Sequence, residues 1–303
     1  MLTLSTFESS ALGPAFVNGI MSSTLYGILA VALVLSFRMS RTVAFVHGGI
    51  ALGATFLYWY LTSSSIYLSN PHAFPVYPAM AAVVGMGALF GLVYGTVVMG
   101  KRMASWPRVT VTTFSLGVML LIAGVFASLW PGLDDYIQSP FGNQTLEVLS
   151  MNVTLHQIVT LGIFVLLVAV LSYGLLRTRA GIYVRAIGDD VEAAEMVGIP
   201  TAKVGIGVWM LSGGIAALAG ILLAPAAGIS DVSVLFILLR SLTVAVLGGA
   251  LLLGEVENLI GGGVFGSIPS GTREVILMTL VFGIVLALTR RGRGGARLQA
   301  QAL

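Results

Sequence analysis

The chain is built from apolar stretches of about 20 residues separated by short polar breaks, and this repeat length limits the fold severely. An α-helix rises about 1.5 Å per residue, so each stretch matches a bilayer core of about 30 Å. With 57% hydrophobic and 9% charged residues, too few polar side chains exist to cover a water-facing globule. The stretches lack the two-residue alternation of a lipid-facing strand, so helices and not a barrel are predicted. The fold class is all-α: a polytopic membrane helical bundle, one transmembrane domain over residues 1–303.

Hydropathy and charge together place spans near 16–37, 42–62, 79–99, 110–130, 156–176, 204–224, 235–254 and 274–289. Thirteen of the 15 Lys and Arg fall at 38–41, 101–108, 177–203 and 290–297, whereas 63–78, 131–155 and 225–233 contain none. By the positive-inside rule the amino terminus lies outside, and the carboxyl terminus, with its basic tail at 290–303, lies in the cytoplasm. Both of the last two spans would then run inward. Residues 258–272 must lead back out, and about a dozen residues are too few to cross as helix alone, so a short or broken helix inside the protein is expected there. The partner of this surface is the lipid bilayer. No basic patch interleaved with aromatics is present for nucleic acid to use.

All 12 carboxylates map to loops or span ends. Proton- or sodium-coupled carriers usually keep an ionisable group at mid-membrane, so this distribution counts against secondary transport. It also disfavours an intramembrane acid–base enzyme. Cysteine is absent, which excludes disulfides and thiolate chemistry. His47, His72 and His156 have no metal-ligand spacing, and no metal site is expected. The first apolar run has no basic segment before it and reads as a retained span.

Residues 177–203 hold 8 of the 27 charged residues. Arg177, Arg179 and Arg185 open the segment, and Asp189 and Asp190 stand where they would cap a short helix over 191–197. Gly198 ends that helix and Pro200 blocks its continuation. One rigid, charged helix on the membrane surface is predicted. Its bland reading is a solvated loop held to anionic lipid by its arginines.

Glycine is frequent within the spans, with 38 in the chain. Gly87, Gly91 and Gly95 repeat at four-residue steps, as do Ala216 and Gly220, and two readings fit: close packing within one subunit, or a subunit interface.

The loop at 177–203 resembles the cytoplasmic loop of permease subunits of branched-chain amino-acid ABC transporters. Arg177-Thr178-Arg179, Gly181, Arg185-Ala186, Asp190, Ala194 and Gly198-Ile199 fit the family pattern. Phe45-x-His47-Gly48, Ser115-x-Gly117 and Val246-Leu247-Gly248-Gly249 look like its other short elements, and Arg240 falls where the family often has a basic residue. The chain departs from the pattern at Ala44, at Gly49, where many members have Glu, and over residues 251–263.

The resemblance implies a transport subunit and not an enzyme, working with two ABC ATPase subunits, a second, homologous permease subunit and an external substrate-binding protein. ATP and Mg would sit on the ATPases, and no cofactor on this chain. Coupling to the ATPases would fall to Arg177, Arg179, Gly181, Arg185, Asp189, Asp190, Glu192, Ala194, Glu195 and Gly198. For the substrate path, glycine-rich breaks at 45–49, 115–117 and 243–249 are expected, with Phe45, His47, Gly48, Gly49, Ser115, Gly117, Arg240, Thr243, Gly248 and Gly249 as its residues; simple kinking and close packing are the alternative reading of these glycines. His47 reads equally as a helix-start residue or a gate, and Arg240 as a snorkelling cation or a carboxylate guide. Small apolar amino acids of branched-chain type come first as cargo, then urea, short amides or small organic acids. Two rival classes remain: a passive channel or facilitator, which leaves the capped charged segment without a purpose, and a membrane scaffold or enzyme, which would need either no path or a catalytic cluster that the sequence does not display.

Overall fold

Prolines and one capping box set where the long helices begin. A computed structural model describes residues 9–63, 74–100, 106–130, 137, 139–142, 144–148, 151–227, 238 and 241. Helix α1 (Ser9–Ser40) is followed by α2 (Val46–Thr62), α3 (Val76–Val98) and α4 (Arg108–Leu129). A hairpin of β1 (Thr145–Val148) and β2 (Met151–Thr154) leads to α5 (Leu155–Arg177), the shorter α6 (Arg179–Asp189) and α7 (Val191–Met196), and then α8 (Thr201–Ala227). Pro75, Pro107 and Pro200 directly precede α3, α4 and α8, where a fixed φ helps and a missing N–H costs nothing. Thr154 and Gln157 cap α5 reciprocally, each side chain meeting the other's backbone N–H.

The chain divides into two units, Met1–Ser23 with Val246–Leu303, and Thr24–Ala245. The tertiary contacts described below all lie within Thr24–Ala245.

Among the described residues, five helices are long and apolar enough to cross a membrane, at Ser23–Ser40, Val76–Val98, Arg108–Leu129, Leu155–Arg177 and Thr201–Pro225. Helix α2 has 17 residues and is the inner element: Val46, His47, Gly48, Gly49, Ile50, Ala51 and Leu52 are all buried in succession. Burial right round a helix means protein and not lipid surrounds it. α2 packs on α8, α4 and α3, and α3 and α8 pack closely on each other. α5 differs, for Val165, Leu166, Val170, Tyr173 and Leu176 all stand more than half exposed, an outward apolar face of the kind lipid covers.

The α3–α8 contact answers the question raised by the glycine repeat. A Cβ at Gly87 would meet Ala217, one at Gly91 the Trp209 carbonyl, and one at Gly95 the Trp209 side chain. Gly213 faces back onto the Gly87 carbonyl, and Gly220 onto Ala51 of α2. These small residues let backbones approach within the subunit. Between the helices, the Thr55 hydroxyl donates to the Gly220 carbonyl at 2.9 Å, and His156 Nε2 to the Leu222 carbonyl at 2.9 Å.

The six expected spans from 16–37 to 204–224 coincide with α1 to α5 and α8. The expected spans at 235–254 and 274–289, and the return at 258–272, lie outside the described residues except for the helical Leu238 and Ser241. Two local expectations need correction. The second span begins at Val46 and not near 42, because Arg41 takes a left-handed φ of 52° and ends the helix before it. Residues 177–203 form two helices and not one, because Val184, Ile187 and Gly181 give residues 179–189 a buried stripe of their own.

Candidate functional site

Among the described residues, two neighbouring features gather polar groups in hydrogen bonds between elements, the α6–α7 hairpin and the break between α1 and α2.

The hairpin is held by its own caps. Thr178 begins α6 by accepting from the Gly181 N–H at 3.1 Å, and a Cβ at Gly181 would collide with the Gly174 and Leu175 carbonyls at the end of α5. Only glycine permits so tight a turn from the long helix into the short one. Arg177 closes α5, Arg179 opens α6, and Arg185 lies exposed on its outer side. Asp190 accepts from the Ala193 N–H at 3.1 Å as the N-cap of α7. Asp189, expected to share that capping, is the last residue of α6 instead. Ala194 is buried beneath α7, and Gly198 ends it with φ of 82° while the Ile199 N–H reaches back to the Ala194 carbonyl at 3.0 Å.

These bonds sort the acidic residues. Asp190 is committed to the cap, and Glu195 accepts from the Thr201 hydroxyl at 2.6 Å. Glu192 lies exposed in the first turn of α7. Beyond it, Met196 is 82% and Val197 77% exposed. The hairpin therefore presents an apolar tip flanked by Glu192, a feature that counting charges along the sequence passes over.

At the α1–α2 break, the backbone is tied by side chains from other helices. The Phe45 N–H donates to Ser115 Oγ of α4 at 3.2 Å, and that hydroxyl stands 3.2 Å from the Val43 carbonyl and 2.7 Å from the Thr112 carbonyl. His47 is fully buried: Nδ1 lies 3.0 Å from the Ala44 carbonyl and Nε2 3.0 Å from Ser212 Oγ of α8. Trp209 stacks on its ring, and the buried Trp209 Nε1 has no partner among the described residues.

The structure thus brings Phe45, His47 and Ser115 to one place, and it corrects the idea of glycine-rich breaks there. Residues 46–49 and 115–117 lie inside the continuous helices α2 and α4. Gly48 and Gly49 serve close packing and not unwinding: a Cβ on Gly48 would stand 2.8 Å from Leu238, and one on Gly49 3.1 Å from the Met119 backbone. Gly117 has nothing within 4 Å of its Cβ position among the described residues. Arg240, Thr243, Gly248 and Gly249 lie outside the described residues. An apolar pocket of about 170 Å³ opens between α2, α3 and α4, beside Gly49, Gly53, Met86 and Phe126. Its side chains offer no hydrogen bond, so it suits a hydrocarbon and not a polar solute.

The sequence model of a family described as "Branched-chain amino acid transport system / permease component" matches residues 15–291. The chain is 28% identical to the fructose import permease protein FrcC of Rhizobium meliloti, over 76% of this chain and 64% of that relative. It is 32% identical to the autoinducer 2 import system permease protein LsrC of Salmonella typhi, over 65% of this chain and 53% of that relative. It is 29% identical to the LsrD protein of the same kind of system in Photorhabdus temperata, over 73% and 65%. The chain therefore spans less than two thirds of the length of these relatives. No solved structure matches it. Its spanning helices and these relatives make it a multi-pass protein of the prokaryotic plasma membrane.

Proposed function

We propose that this chain, which belongs to the family of branched-chain amino-acid transport permease components, is the membrane-embedded permease subunit of an ATP-driven importer. The observation that carries this reading is the α6–α7 hairpin. A solvated loop has no use for two caps and an exposed Met196-Val197 tip, whereas a lever that must transmit force to α5 and α8 needs rigidity and something to be gripped by. The end carrying Arg38, Arg41, Arg177 and Arg185 faces the cytoplasm in this reading, with the amino terminus outside.

Two ABC ATPase subunits grip the hairpins of this chain and of a second, homologous permease, and they hold the ATP and Mg. An external binding protein delivers the cargo. In this reading residues 1–303 form one transmembrane permease domain, with 177–203 as its coupling segment and 290–303 as a basic tail.

For the cargo, a small sugar-type solute is favoured by the relatives, which are import permeases for fructose and autoinducer 2. Small branched-chain amino acids are the second reading, supported by the family description. Uptake of labelled fructose and labelled leucine by the reconstituted complex separates them.

The docking role is tested by co-purification. Tagged chain should bring down its ATPases, and Met196→Asp with Glu192→Lys should lose them while the permease still elutes as a folded species. Retention of the ATPases by that double variant would remove the hairpin from the contact.

A further inference from the structure

Arg41 is the one non-glycine residue with a positive φ among the described residues, at 52°. It stands immediately after α1, its N–H bonded to the Phe37 carbonyl at 2.8 Å. Helices commonly stop on a left-handed residue at this position, and glycine is the usual occupant because a Cβ there crowds the backbone. Here the position is held by an arginine, and its guanidinium donates to the Gly188 carbonyl at the end of α6. The same Gly188 backs onto the end of α1, its Cβ position 3.5 Å from the Arg38 carbonyl.

The contact joins residues 147 apart in sequence. Beyond Thr42, whose hydroxyl turns back to Ser40, the chain is tied at several points. Ser115 of α4 meets the Val43 carbonyl and the Phe45 N–H at 3.2 Å each, and His47 ties the Ala44 carbonyl to Ser212 of α8. Residues 41–47 are thus a strap whose polar groups are fastened in turn to α6, α4 and α8.

We propose that Arg41 is a positioning residue for energy coupling: it transmits displacement of the α6–α7 hairpin to the α1–α2 strap, and through Ser115 and Ser212 to the helices on both sides. This rests on the reading that an ATPase grips the hairpin. A rigid element bonded to a second one moves it; through α8 the hairpin reaches α2 by packing, whereas the Arg41 contact joins it directly to the end of α1 and the start of the strap.

The test uses the complete importer in proteoliposomes and measures uptake, ATP hydrolysis and thermal unfolding for wild type, Arg41→Gly, Arg41→Lys and the hairpin variant Met196→Asp. Arg41→Gly removes the donor and installs the residue that suits the backbone, so a residue needed only to end α1 would leave unfolding and transport unchanged. The expectation is unchanged or raised thermal stability, ATPases still bound, and uptake per ATP reduced about tenfold, within the range of ordinary site-to-site coupling. Arg41→Lys, which keeps a cationic donor, should recover most of the ratio. Normal coupling in Arg41→Gly while Met196→Asp sheds the ATPases would overturn the role of Arg41 and leave the lever standing. Loss of thermal stability in Arg41→Gly would also overturn it, by making Arg41 a fold-holding residue. Full uptake by Met196→Asp would instead bring down the lever reading itself.

Discussion

His47 lies against Trp209 with ring centroids 5.4 Å apart and planes inclined by 23°, while its Nε2 sits 3.0 Å from the hydroxyl of Ser212 on the same partner helix. Nδ1 faces the Ala44 carbonyl, which only accepts, so Nδ1 carries the proton of that bond. Ser212 has a single hydroxyl proton to share between Nε2 and the Trp209 carbonyl at 3.1 Å. Both ring nitrogens are therefore occupied, and the ring ties α2 to α8 in the interior.

His47→Ala removes a buried ring and two hydrogen bonds, for an expected loss of about 3 kcal/mol in stability. A double-mutant cycle with Ser212→Ala, read by thermal unfolding in detergent, should give a coupling of about 1 kcal/mol. A coupling near zero would show that the two side chains do not act together.

Glycines on α3 should divide by face. Gly91→Ala drives a Cβ into the Trp209 carbonyl, backbone that has no rotamer to yield, and should lower the unfolding temperature and weaken the α3–α8 contact. Gly85→Ala, with nothing within 4 Å of the new atom among the described residues, should be neutral or stabilising by up to about 1 kcal/mol. Equal effects at the two positions would contradict the packing assigned to the repeat.

Asp190 should behave as a cap. Asp190→Asn keeps an acceptor for the Ala193 N–H and should keep ATPase binding near wild type, whereas Asp190→Ala should lose about 1 kcal/mol locally, seen as faster hydrogen exchange across α7. A loss of ATPase binding in Asp190→Asn as large as in Glu192→Lys would assign the Asp190 charge to docking.

Because the chain contains no cysteine, introduced thiols report topology without background. Gln144→Cys, next to the β-hairpin, should label with an impermeant reagent in intact cells, and Met196→Cys only after the membrane is opened. The reverse pattern would invert the orientation taken from the basic residues.

Much of the bundle was legible because hydropathy and charge act on whole stretches of chain: α3, α4, α5 and α8 lie where apolar runs end in Arg or follow Pro. The α7 cap was legible for a local reason, since Asp190 and Gly198 each satisfy a backbone need within a few residues. Helix α6 was hidden because Arg179 and Arg185 dominate the reading of a segment whose buried stripe is only Gly181, Val184 and Ile187. Gly48 and Gly49 fit two readings in the sequence because glycine permits both unwinding and close approach, and only the neighbour across the gap, Leu238 or Met119, decides for packing. The left-handed turn at Arg41 left no trace, since nothing in the sequence marks an arginine standing where glycine is usual.

The most direct measurement is solute accumulation in proteoliposomes containing this chain, with and without its ATPases and second permease. The complete complex, supplied with its external binding protein, should concentrate cargo only when ATP is present on the side carrying α6 and α7, and this chain alone should concentrate none. Accumulation against a gradient by the chain alone, or by the complex without nucleotide, would contradict a lever driven by ATP.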